Sequence, residues 1–383
     1  GLIVDNEKLL CPEGAEDIPF FQSISYLSIA VRKDFSLSNL SALKNMASLS
    51  MYLLQDVRIT DIDDLNNLEK LETFYLNGNL SGIDITSDAL KYIRSLGIYN
   101  SNSSEQKGTV DTKLLGNVSW LSISGMQLRG SFNDINNEVG YIEMNNCKLP
   151  GDATTVDLSK FTGLWDLSLN SMGLTEVTGL DKLENLQELS LADNKLTKIT
   201  GLDKLDNINS LNLSGNELSE VPALYKYPSN IYLQNNKITD TSALGTLKNG
   251  NYVSVLDLSG NQITSVKDAN LVSLTALSDI NNLNLAGNRL TVDEVKGYVP
   301  EKCSADISWL ANATSVQAAG QSNVYTWVNS ELIASDIDER LGYISSDSTL
   351  WLAYYTTAES VLIEDELLEY IRGLERKVSI TIN

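Results

Sequence analysis

The sequence predicts an α/β solenoid of about twelve coils, each laying one short strand into a parallel concave β-sheet, followed by a small C-terminal α+β module. Three observations predict it. First, a phrase recurs: Leu180 to Thr200 reads LDKLENLQELSLADNKLTKIT, and Leu202 opens LDKLDNINSLNLSGNELSEV, 22 residues on (202 − 180 = 22). Second, its kernel, L-x-x-L-x-L-x-x-N-x-L, sets aliphatic residues two apart, the period of a strand with one buried edge. Third, one coil cannot bury that edge alone, so coils must stack and join their aliphatic residues into a continuous core.

Taking the second aliphatic of the kernel as a marker, the coils run through Leu27, Tyr52, Phe74, Leu96, Leu121, Ile142, Leu167, Leu189, Leu211, Ile231, Leu256 and Leu283. The kernel asparagine follows at Asn79, Asn194, Asn216, Asn236, Asn261 and Asn288, where its amide can satisfy backbone groups of neighbouring turns. Arg32, Val57, Ser101, Met126, Cys147 and Met172 replace it in the other six coils, so the first half should be the less regular one. Cys147 reads as a small buried residue at a ladder position.

The kernel and the short T-G-L-D-x-L-x-N-L spacer resemble the leucine-rich repeat family, most closely its 22-residue class typified by bacterial internalins, over about Ile24 to Leu290. The resemblance implies a horseshoe fold. Residues 1–23, with Phe20 and Phe21, then form an N-terminal cap; 24–290 form the solenoid. Residues 291–311 form a C-terminal cap, with a helix begun by the Thr291/Glu294 capping box and Trp309 closing the end. Residues 312–383 form the separate module, with strands around 324–328, 350–354 and 377–382 and a helix over Ile363 to Arg376.

Composition removes several function classes. The 383 residues contain no histidine, which excludes Ser-His and Cys-His nucleophiles and imidazole metal sites. Cys11, Cys147 and Cys303 form no C-x-x-C pair, so neither a disulfide framework nor a zinc knuckle is expected. With 28 Lys and Arg against 50 Asp and Glu, the net charge of −22 repels nucleic acid and anionic lipid. No apolar run reaches the roughly 18 to 20 residues of a membrane span. No cofactor and no metal are expected, and a monomer is. The first residue is Gly rather than Met, which reads as a trimmed or mature chain, so the absence of an export signal is no evidence for the cytoplasm.

Function must then sit on strand positions that alternate with the core aliphatics. The columns flanking the marker hold Tyr75, Trp120, Tyr141, Glu143, Asp166, Glu188 and Tyr232, with Tyr99 two residues further and Trp165 one position off; Met51 and Leu53 occupy these columns in the second coil. Tyr and Trp offer large contact area at little entropic cost, and their mixture with Ser and Asn resembles a binding paratope. Aromatic residues also favour strands for packing alone. Asp166 and Glu188 occupy one column on adjacent strands, the arrangement of a retaining glycosidase pair, and with Glu143 they offer a weak calcium site without calcium-loop spacing. The polar stretch Asn100 to Lys107 reads as a solvated loop.

These residues predict a non-enzymatic binding protein, extracellular or at the surface of a Gram-positive cell, whose concave face recognises a protein or glycan. A structural spacer acting through the C-terminal module is the alternative, and a glycan hydrolase using Asp166 and Glu188 a weaker one.

Overall fold

A computed structural model describes residues 2–4, 19–54, 57–86, 90, 92–101, 108–245, 253–264, 280–284 and 288, and the strands at 304–306, 313–318, 324–328, 350–355 and 378–382. The chain divides into two compact units, Gly1–Lys195 and Leu196–Asn383.

In the first unit nine strands pair in parallel in chain order: Leu2–Val4, Tyr26–Val31, Ser48–Leu53, Thr73–Gly78, Ser95–Asn100, Trp120–Ser124, Tyr141–Asn145, Asp166–Ser168 and Glu188–Ser190. The register sets Leu27, Leu49, Phe74, Leu96, Leu121, Ile142, Leu167 and Leu189 abreast. In the second unit Leu211, Ile231, Leu256 and Leu283 do the same in strands Ser210–Asn212, Asn230–Tyr232, Val253–Asp257 and Ile280–Asn284. The marker column is therefore as expected in eleven coils.

The second coil corrects the twelfth. Leu49, not Tyr52, pairs with Leu27 and Phe74. Aliphatic residues stand at 49, 51, 53 and 54, so the kernel can be laid on this coil in two phases, and an odd shift exchanges the two faces of a strand. Met51 and Leu53, expected outward, are consequently buried, while Tyr52 is 41% exposed.

Five of the six kernel asparagines form the predicted ladder, each 4–6% exposed: Asn194, Asn216, Asn236, Asn261 and Asn288. Asn194 shows the design. Its Oδ1 accepts from the amides of Met172 and Leu174 at 3.1 and 3.0 Å, and its Nδ2 donates to the carbonyls of Leu169, Leu191 and Ala192 at 2.7, 3.0 and 3.2 Å. Asn79 departs from the pattern: it is only half-buried, and its Oδ1 accepts locally from the Ser81 amide at 3.2 Å.

In the first unit a second row of backbone pairing also satisfies peptide groups. Phe35–Ser36 pairs with Ile59–Thr60; Asp84–Ile85, Thr109–Asp111 and Gln127–Arg129 make a three-stranded sheet; Thr155–Asp157 pairs with Glu176–Thr178. The Leu128 amide, at the kernel position where Leu174 uses Asn194, donates instead to the Lys148 carbonyl at 2.8 Å. A thiol supplies the donor there: Cys147 Sγ donates to the Ile123 carbonyl at 3.4 Å, the counterpart of the Asn194 bond to Leu169. Cys147 is 2% exposed, as its ladder position predicts.

Among the described residues the return paths use short helical segments, several of them single 3₁₀ turns such as Leu180–Lys182 and Leu202–Lys204. Gly179 enters the first of these at φ 78°, and a Cβ there would lie 2.3 Å from the Ser159 amide nitrogen. The spacer glycine is thus required by both conformation and space.

At the front, the helix Pro19–Gln22 leaves Phe20 67% exposed, and Leu2–Val4 adds an edge strand to the sheet. In the second unit Ser304–Asp306 adds a strand beside Ile280–Asn284, inside the stretch expected to be a cap. Val324–Val328, Ala313–Ala318, Leu350–Tyr355 and Val378–Ile382, in that order, form a four-stranded mixed sheet. The Thr291/Glu294 helix, Trp309, the helix over 363–376, Cys11, Cys303 and most of the Asn100 to Lys107 loop lie outside the described residues. Among the described residues no helix is long and apolar enough to cross a membrane.

Candidate functional site

Every second residue of the first unit's sheet strands points away from the core, and these outward columns carry the candidate residues. Backbone register alone places Trp120, Tyr141, Asp166 and Glu188 in one row across four strands. A second row runs through Tyr75, Gly97, Ser122, Glu143, Ser168 and Ser190, and a third through Tyr52, Asn77, Tyr99, Ser124 and Asn145.

The rings meet in two groups. Tyr52, Tyr75 and Tyr99 form a chain with centroids 5.4 and 5.1 Å apart. Gly97 makes this possible, since a Cβ at that position would come within 2.8 Å of the Tyr75 ring and 3.2 Å of the Tyr99 ring. Trp120 and Tyr141 stack at 4.9 Å with 9° between their planes, and Tyr141 meets Trp165 at 5.7 Å. The Trp165 indole lies over Gly140, where a Cβ would be 2.8 Å from Nε1, and it is 45% exposed.

Hydrogen bonds join the two groups. The Tyr99 hydroxyl donates to Ser122 Oγ at 2.5 Å, and Ser122 Oγ donates to Glu143 Oε2 at 2.6 Å. The Tyr141 hydroxyl donates to the same oxygen at 3.2 Å, and Asn145 Nδ2 donates to Oε1 at 2.8 Å. The chain continues as Ser168 Oγ donates to Asn145 Oδ1, Asn170 Nδ2 to Ser168 Oγ, and Ser190 Oγ to Asn170 Oδ1, at 3.2, 2.8 and 2.8 Å. The face is thus a prearranged layer of rings held from beneath by short polar side chains.

Its electrostatics are one-sided. No Lys or Arg occupies the outward strand positions from Tyr26 to Ser190, and among the described residues none pairs with Glu143, Asp166 or Glu188. Burial, with the negative charges of Glu188 and Glu143, pushes the Asp166 carboxyl up to about 6. Burial and the Glu143 charge raise the Tyr141 phenol well above its ordinary range, and burial raises Tyr99. Among the described residues no group of three or more His, Cys, Asp or Glu is placed to hold a metal ion, so the calcium reading of Glu143, Asp166 and Glu188 gains no support.

Eight of the nine candidates, Tyr75, Tyr99, Trp120, Tyr141, Glu143, Trp165, Asp166 and Glu188, come together on this face; Tyr232 is half-buried in strand Asn230–Tyr232 of the second unit. Sequence reasoning missed Tyr52, because it was spent as a core marker. The run Leu49-Ser-Met51, read in the phase of Leu121-Ser-Ile123, would have found it.

Residues 184–226 match a family model described as leucine-rich repeats in two copies. No curated protein matches the sequence. Among solved structures, an internalin of Listeria monocytogenes superposes with a TM-score of 0.52 at 22% identity, covering 74% of this chain and 80% of its own. A leucine-rich repeat protein of Leptospira interrogans gives a TM-score of 0.41 at 17% identity, covering 80% of this chain and 100% of its own. With the matched repeats, the stacked marker column and the asparagine ladder, the chain carries leucine-rich repeats and has an internalin-like solenoid fold.

Proposed function

We propose that the protein is a non-enzymatic binding module that works outside the cell or at its surface and holds a protein ligand against the outward sheet face of the first unit. The observation that carries this reading is a set of aromatic rings on a face that does not need them for its core: Tyr52 and Trp165 remain 41% and 45% exposed, while the core is filled by leucines from the opposite edge of the same strands. Rigid aromatic rings with polar handles are the side chains that dominate interface energetics. The internalin-like fold supports the extracellular placement.

Two alternatives fare less well. A hydrolase needs walls to fix and distort a sugar, and Asp166 and Glu188 stand on a single sheet layer, although the raised Asp166 carboxyl is what a general acid requires. A spacer acting through residues 312–383 leaves the aromatic face without a role.

The test is a panel of extracellular proteins and bacterial glycans presented to the full chain and to its Trp120→Ala/Tyr141→Ala variant. Capture of a protein by the parent and its loss in the variant, at an unchanged melting temperature, is expected. A ligand held equally by both places the site elsewhere, and a glycan captured in place of any protein overturns the ligand class.

A further inference from the structure

The aromatic face has a charge of one sign as well as its rings. We infer that its occupant is an extended segment presenting arginine or lysine side chains, which seat over the Trp120–Tyr141 stack and Trp165 and against Glu143, Asp166 and Glu188. This rests on the binding reading above and names the chemistry of its ligand.

Charge complementarity carries the argument. Three carboxylates stand on three successive strands, with no cation of this chain facing them in the described residues. All the donors that reach Glu143 are neutral: Ser122, Tyr141 and Asn145 orient its two oxygens without cancelling their charge. The carboxylate is therefore prearranged by neutral donors, which lowers the ordering cost of binding a cation. The rings beside it present negative π faces, the surface on which guanidinium and ammonium groups sit. Salt screens the remaining carboxylates of a chain with net charge −22 beyond about 8 Å at physiological ionic strength, so a cationic segment gains from this face and little from the rest of the surface. Asp166, held near 6 by burial and its two acidic neighbours, is uncharged in part just below neutral pH, and a seated cation relieves that repulsion.

The test uses the full chain and two fluorescein-labelled peptides, an acetylated Gly-Ser-Arg repeat and its counterpart with citrulline, the neutral isostere, in place of arginine. Fluorescence anisotropy at about 0.15 M salt reads binding. The arginine peptide is expected to bind at least about tenfold more tightly than the citrulline peptide. That advantage should be lost in E143Q/D166N/E188Q, and in D166N/E188Q, which leaves the Glu143 hydrogen bonds intact. E138Q/E176Q/D206N, which alters net charge by the same three units at exposed positions, should stay within about twofold of the parent. Equal binding of the two peptides, or equal losses in the site and remote variants, overturns the inference. Either result leaves the Trp120/Tyr141 experiment to decide separately whether the face binds a protein at all.

Discussion

Replacing Asn194 by Ala tests the physical account of how the coils are held together. The substitution removes the acceptor of two buried backbone amides, Met172 and Leu174, and the donor to three carbonyls. Each buried amide left without a partner costs about 1–3 kcal/mol, and a carbonyl that keeps its other contacts costs less, so the two amides together predict a loss of about 4 kcal/mol. Cys147→Ala is the internal comparison. At Cys147 the Leu128 amide is already satisfied by the Lys148 carbonyl, and the thiol donates to Ile123 and Asn145. Its loss leaves the Leu128 amide paired and should cost about 1 kcal/mol. Urea denaturation followed by circular dichroism gives both values. Hydrogen exchange localises the first, since Met172 and Leu174 should lose protection selectively in the Asn194 variant. Equal costs for the two substitutions, or unchanged exchange at those amides, would refute the reasoning that the ladder acts by accepting.

Three further outcomes follow from other parts of the structure. Leu49→Ala should destabilise by about 2–5 kcal/mol and Tyr52→Ala by less than about 1 kcal/mol, because only the former fills the core; thermal melts that rank them in reverse would restore Tyr52 as the marker. Gly97→Val should force the Tyr75 and Tyr99 rings apart and flatten the near-ultraviolet tyrosine dichroism, whereas Gly116→Ala, with its nearest neighbour 3.8 Å away, should not; identical spectra would deny Gly97 its role. Asp166 has a raised carboxyl in the folded state, so its ionisation opposes folding above about pH 6, and the penalty fades as pH falls toward the unfolded value of 3.8. Asp166→Asn should therefore raise the melting temperature at pH 7.5 and lose that advantage by about pH 4; a difference independent of pH would contradict the assignment.

Much of the fold was legible because it is periodic. Leu189 and Leu211 announce their strands by kernel alone, and Asn194 and Asn216 announce the ladder, since each residue's environment recurs in every coil. Legibility failed where the period had slack. Tyr52 sat in a coil rich enough in aliphatic residues to fit twice, and Asn79 matched the letter of the kernel while turning locally to Ser81.

The amino-acid sequence by itself determined the strand-per-coil solenoid, the buried marker column, the thiol at Cys147 and the acidic, histidine-free surface, because those depend on residues within one coil and on totals over the chain. Tertiary structure decided the phase of the second coil, the second row of paired strands, and the network that ties Tyr99 and Tyr141 to Glu143. The physical reason is that these depend on which residues of neighbouring coils come abreast, and coil lengths vary from one to the next, so only the assembled stack sets Gly97 between two tyrosine rings or brings Ser122 beneath a carboxylate from the following strand.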